Sequence, residues 1–101
     1  MEPIKLDQTD DGRTVTVARG QQVVVRLPEN PTTGYRWEPP ADVEVVSDEF
    51  HPAAGTGIGA GGERVFTLAA RAPTAEVRFA LMRPWGGGSP ERVFTLRLTA
   101  S

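Results

Sequence analysis

The chain has no cysteine, one histidine (His51) and one lysine (Lys5) among its 101 residues. Without cysteine there is no disulfide, no thiol nucleophile and no thiolate metal site, so the core must hold by packing alone. His51 lies in SDEFHP, with Asp48 and Glu49 as its acidic neighbours. That is too few ligands at no metal-site spacing, and the residue reads as a solvated loop histidine. A serine or threonine nucleophile needs an activating His or Lys, and nothing places Lys5 near a loop hydroxyl. An enzyme is therefore not expected, and no cofactor or metal is implied.

Neither sign of charge predominates. Thirteen acids stand against eleven bases for a formal net charge of −2, scattered singly, which leaves no basic footprint for nucleic acid and no acidic tail. No apolar run approaches the roughly 20 residues needed to span a bilayer, so no membrane partner is expected. Residues 1–25 lack the basic start and apolar stretch of a signal peptide; a cytoplasmic chain and the mature form of an exported one both fit. Ten of the eleven bases are arginine, and Ala and Gly are abundant, a composition that hints at a GC-rich bacterial source.

What is present fits one domain over residues 1–101, with room for a single modest core. The apolar residues recur at spacing two, the mark of half-buried strands, and no amphipathic helix stands out. Val15 and Val17 share a face, as do Val23, Val25 and Leu27, then Tyr35 and Trp37, then Val43 and Val45. Later runs alternate through Phe66 and Leu68, through Val77, Phe79 and Leu81, and through Phe94, Leu96 and Leu98. The strands expected cover 4–6 with 14–18, then 22–27, 35–38, 43–46, 64–70, 76–82 and 92–99. About seven short strands separated by Gly and Pro indicate an all-β, immunoglobulin-like antiparallel sandwich. Charged outer faces on such strands ask for no second copy, so a monomer is expected. The hexapeptide ERVFTL occurs twice, at Glu63–Leu68 and Glu91–Leu96. It reads as two strands in similar positions of the sandwich rather than as a functional repeat.

If consecutive strands run antiparallel, three connections share one end. They contain PENPTTG, DEFHPAAGTGIGAGG and RPWGGGSP, while the other end has the terse turns RGQ, EPPAD and RAPTA. Loops longer than their strands require are where binding is built on a rigid scaffold. GIGAGG satisfies G-x-G-x-x-G at Gly57, Gly59 and Gly62, but a strand follows where a dinucleotide site needs a helix N-terminus. A flexible loop, or one whose backbone lies close against a partner, remains. Trp85 in RPWGGGSP has two readings, a cap folded onto the core or an exposed anchor beside Arg83 and Pro84. NPTTG is stiff by composition. Pro31 restrains Asn30, Thr32 and Thr33 are β-branched, Gly34 can take a positive φ, and Asn30 can cap the turn through its side chain. Two threonines at the crest would offer hydroxyls and methyls outward.

NPTTGYRW at Asn30–Trp37, the Gly-rich stretch before the FTLA strand, and RPW at Arg83–Trp85 follow in that order. Together they resemble the chagasin family of cysteine protease inhibitors over about residues 22–98. The resemblance implies an immunoglobulin-like domain that reversibly inhibits papain-like cysteine proteases by wedging three loops across the active-site cleft. By position, Asn30, Pro31, Thr32, Thr33, Gly34 and Tyr35 match the central loop over the catalytic cysteine. Gly55–Gly62, with Gly57, Ile58 and Gly59, match the loop along one side, and Arg83, Pro84 and Trp85 match the anchor on the other. Two features depart from typical members: the side loop is unusually glycine-rich, and RPW is followed by GGGSP. A rival class is a non-inhibitory recognition module that uses the same loops for another protein or a carbohydrate. An inert structural domain is a third.

Overall fold

Each alternating run becomes a strand with one face turned inward. The computed structural model describes residues 2–40, 43–52, 61–69, 74–83 and 88–100. Among these are β1 (Ile4–Asp7), β2 (Arg13–Val17), β3 (Gln22–Glu29), β4 (Arg36–Glu38), β5 (Glu44–Pro52), β6 (Gly62–Ala69), β7 (Thr74–Met82) and β8 (Arg92–Ala100). Two single 3-10 turns, Gln8–Asp10 and Pro31–Thr33, interrupt them. One sheet has the order β1-β3-β6-β5 and the other β2-β8-β7-β4.

The core lies between the sheets. Val23, Val25 and Leu27 of β3 and Phe66 and Leu68 of β6 meet Val77 and Phe79 of β7 and Phe94, Leu96 and Leu98 of β8, all buried. Each such side chain contributes about 1.5–3 kcal/mol on leaving water. The two ERVFTL copies are β6 and β8, in opposite sheets, and their phenylalanines converge on one ring. Phe79 lies 5.0 Å from Phe66 and 5.9 Å from Phe94, tilted as aromatic quadrupoles prefer.

The sandwich matches the expected fold class, with eight strands among the described residues where about seven were expected. The opening strand divides between the sheets: β1 pairs parallel with β3 (Ile4↔Val23) and β2 pairs parallel with β8 (Arg13↔Leu96). The polar stretch between them turns the chain. Asp7 caps the first 3-10 turn by accepting from Thr9 N at 2.9 Å, and Gly12 has φ +81°. Gly12 N then donates to Thr95 O at 2.7 Å and Asp11 Oδ1 accepts from Thr95 N at 2.9 Å, docking the crossover on the second sheet.

β5 also runs past the expected end at 46. A register shift between Val45 and Ser47 leaves Val46 outside, half exposed, and moves Asp48 and Phe50 to positions opposite Phe66 and Arg64. One extra residue in a strand exchanges its faces, so SDEFHP shows no period-two pattern that continues VEVV. His51 accordingly lies on an exposed edge strand, not in a loop.

Register brings three connections to one end. Glu29 at the end of β3 and Pro52 at the end of β5 both pair with Gly62 at the start of β6. In the other sheet, Arg36 of β4 faces Met82 of β7 and Leu81 faces Arg92 of β8. The parallel first pairs do not disturb this arrangement.

Candidate functional site

The connection from β3 to β4 crosses between sheets, so no backbone ladder joins its two ends. Side chains hold it instead. Pro31–Thr33 form a 3-10 turn, and Asn30 organises it from both of its oxygens. Its Oδ1 accepts from Thr32 N at 3.1 Å and from Thr32 Oγ1 at 2.7 Å. Its main-chain oxygen accepts from Thr33 N at 3.1 Å and Thr33 Oγ1 at 2.8 Å. Thr33 Oγ1 in turn accepts from Tyr35 N at 3.3 Å. Gly34 has φ +82°, the left-handed geometry that glycine adopts at no steric cost and that redirects the chain toward β4.

Thr32 and Thr33 are both exposed. Their hydroxyl protons are already donated within the turn, so the crest presents methyl groups and acceptor lone pairs. The hydroxyl oxygens and methyls expected at the crest are exposed there, and the same hydroxyls make the turn rigid.

Beneath the crest lies the one buried charged side chain among the described residues. Glu29 continues the inward series Val23, Val25, Leu27 and is only 4% exposed. Its Oε1 accepts from Trp37 N at 2.8 Å, and its Oε2 accepts from Arg64 Nη2 at 2.7 Å and Arg64 Nε at 3.1 Å. Trp37, buried as expected, adds a bond from Nε1 to Pro28 O at 2.8 Å. Arg64 also reaches Asp48 Oδ1 of β5 at 3.1 Å and lies 5.5 Å from the Phe50 ring centre. Burial acts to lower the pKa of Arg64, but its bonds to and the charges of Glu29 and Asp48 outweigh this and raise it above the ordinary arginine value. The cation is thereby fixed.

The roots of the other two connections meet this base. A Cβ on Gly61 would lie 3.3 Å from the Glu29 carbonyl and 3.6 Å from Asn30 Cβ, so the chain entering β6 passes against the root of the central loop. Arg83 is exposed, with its guanidinium 4.7 Å from the centre of the half-buried Tyr35 ring, and Glu91 N donates to Leu81 O at 2.8 Å, closing the base of the third loop. A hollow of about 360 Å³ opens between the three roots, lined by Asn30 and Tyr35, Gly61 and Gly62, and Leu81 and Arg92.

Of the site residues expected from sequence, the structure thus gathers Asn30, Pro31, Thr32, Thr33, Gly34, Tyr35 and Arg83 at one end. Gly57, Ile58, Gly59, Pro84 and Trp85 lie outside the described residues. Gly62 belongs to strand β6, not to the Gly-rich loop. Sequence reading missed Glu29 and Arg64, although both were marked. Each continues an alternating apolar run by one more inward position, Val23-Val25-Leu27-Glu29 and Leu68-Phe66-Arg64, and opposite charges at two such positions predict a buried pair. Among the described residues there is no group of three or more His, Asp or Glu that could hold a metal ion.

A two-sheet sandwich with a self-bonded, uncharged turn set beside the roots of two further connections has the form of a binding domain. Residues 16–99 match the Chagasin family peptidase inhibitor I42, and the chain belongs to that family. It is 35% identical over 107 aligned positions to chagasin of Trypanosoma cruzi, covering 96% of this chain and 97% of that protein. The crystal structure of a cysteine protease inhibitor from Entamoeba histolytica superposes with a TM-score of 0.85 at 25% identity, covering 100% of this chain and 97% of the other. A third similar fold, PbICP-C in complex with falcipain-2, has a TM-score of 0.63 at 12% identity, covering 99% and 92%. The protein is accordingly a peptidase inhibitor and not an enzyme. The first two relatives are protozoan and lend nothing to the bacterial source suggested by composition.

Proposed function

We propose that the protein is a reversible, competitive inhibitor of papain-like cysteine proteases. In this reading Asn30–Tyr35 occupy the cleft over the catalytic thiolate, flanked by Gly57–Gly59 on one side and Arg83–Trp85 on the other. The observation that carries it is the self-bonded 3-10 turn at the crest. A protease cleaves a segment it can draw into an extended conformation. Here the amides and hydroxyls of Thr32 and Thr33 are bonded to Asn30, and unwinding the turn would forfeit all four bonds. A loop ordered before docking also loses little entropy on binding, which lets a small contact area bind tightly. The absence of charge at the crest suits a site whose reactive atom is an anion, since a carboxylate there would be repelled. Membership of a peptidase-inhibitor family, the structural likeness to a cysteine protease inhibitor, and the complex of a third relative with falcipain-2 support the choice of target class.

Residual activity of papain and of a cathepsin-type enzyme in micromolar protein tests the reading. Inhibition that is relieved by dilution and by excess substrate, with the inhibitor recovered intact, is the expected result; full activity of both enzymes overturns it. Trp85→Ala should weaken binding by about 2 kcal/mol if this aromatic is an anchor, and an unchanged inhibition constant would remove it from the contact surface.

A further inference from the structure

We infer that the buried Glu29–Arg64 pair is the positioning device of the inhibitory end, and that it sets the order of the Asn30–Tyr35 loop without touching the protease. The inference rests on the proposed function. Three observations converge on it. The loop joins strands of different sheets, so no ladder spaces its ends. Glu29 immediately precedes the loop, and its Oε1 holds the amide of Trp37, just beyond the loop, at 2.8 Å. One carboxylate thereby spans both feet. Its other oxygen is gripped twice by Arg64, which also binds Asp48 of β5 and so ties the foot of the central loop to the two strands that flank the Gly-rich connection.

The charge has a reason to be there. An apolar residue at position 29 would fill the inward position but leave the Trp37 amide with no side-chain acceptor at the loop's far foot. A buried carboxylate is tolerated only with its lone pairs matched, and here both oxygens are bonded and no described buried side-chain polar atom lacks a partner. Arg64 sits in the first ERVFTL copy, while its counterpart in the second, Arg92, is exposed at the rim of the hollow. The repeat thus uses one arginine for the internal clamp and leaves the other at the surface.

The test compares the wild-type 101-residue chain with Glu29→Ala, with the milder Glu29→Gln, and with Val17→Ala. Val17 is wholly buried and pairs with Ala100 at the end of the sandwich remote from the loops, so its truncation is a stability control. Melting temperature, backbone amide relaxation at Thr32–Tyr35 in the free protein, and the inhibition constant for papain are read well below the melting point of every variant. Glu29→Ala should loosen the loop amides and weaken inhibition at least tenfold, which is about 1.4 kcal/mol. Glu29→Gln should fall between it and wild type, and Val17→Ala should lose stability yet keep wild-type loop relaxation and affinity. If Glu29→Ala loses stability only as Val17→Ala does, with loop order and affinity within twofold of wild type, the carboxylate is structural and the inference fails. A wild type that inhibits no papain-like enzyme, with a loop that still loosens in Glu29→Ala, would sink the functional reading and leave the loop-ordering role standing.

Discussion

Gly62 sits where β3, β5 and β6 converge, paired to Glu29 on one side and Pro52 on the other. Its lack of a side chain serves packing within the sheet rather than contact with a partner. A Cβ there would press on the His51 carbonyl and lie 2.8 Å from both the Phe50 ring and Pro52 Cα. Gly62→Ala should therefore cost about 1–3 kcal/mol by overpacking, seen as a lower urea midpoint, and an unchanged midpoint would contradict the close approach. Thr33 makes the opposite case, a residue whose value lies in one exposed oxygen. Thr33→Val keeps the methyl surface but deletes the atom that donates to Asn30 O and accepts from Tyr35 N. Inhibition should weaken by about 1 kcal/mol with little change in melting temperature, because the lost bonds are local and solvent-exposed. Neither role could be read from composition. By sequence Gly62 belongs to a glycine-rich run and the threonines to a polar crest, and only backbone register and turn geometry assign their neighbours.

Among the elements, those that depart from simple alternation build the end that carries the loops. The bulge in β5 turns Asp48 and Phe50 toward Arg64, and with a continuous register they would have faced away. The first 3-10 turn lets the opening segment serve both sheets, and it is held by Asp7, whose carboxyl is kept below the ordinary aspartate pKa by the Thr9 hydroxyl and then by the Thr9 amide, against a small opposing desolvation. A carboxylate with a lowered folded pKa contributes stability that is present above its unfolded pKa and lost as pH falls through the folded value. The difference in urea midpoint between wild type and Asp7→Ala should thus be largest near neutrality and shrink below about pH 4, and a gap that grows in acid would reverse the sign. The strands themselves were legible wherever two to three inward residues alternate, as in β3, β7 and β8. Their continuations were not, because a bulge, a charged inward residue or a proline breaks the pattern without ending the strand.

The molecule as a whole is two four-stranded sheets whose first two strands each pair parallel at an edge, β1 against β3 and β2 against β8. β1 covers the open edge of β3 and buries Leu6. A chain beginning at residue 8 should lose about 1.5–3 kcal/mol from Leu6 alone and present an unpaired edge prone to self-association. A lower urea midpoint together with concentration-dependent light scattering would show it, and a fully stable, monodisperse protein would not be compatible with that pairing. The class of fold, the inward residues of the core and the three odd connections follow from the amino-acid order alone, because period-two burial and turn chemistry are local properties of the chain. Three features appear only in the folded chain: the opening segment divides between sheets, Arg83 packs on Tyr35, and Glu29 and Arg64 close a buried clamp beneath the central loop. The partners in each case are far apart in the chain or sit across the sandwich, and a pairing of that kind exists only once two sheets have been brought face to face.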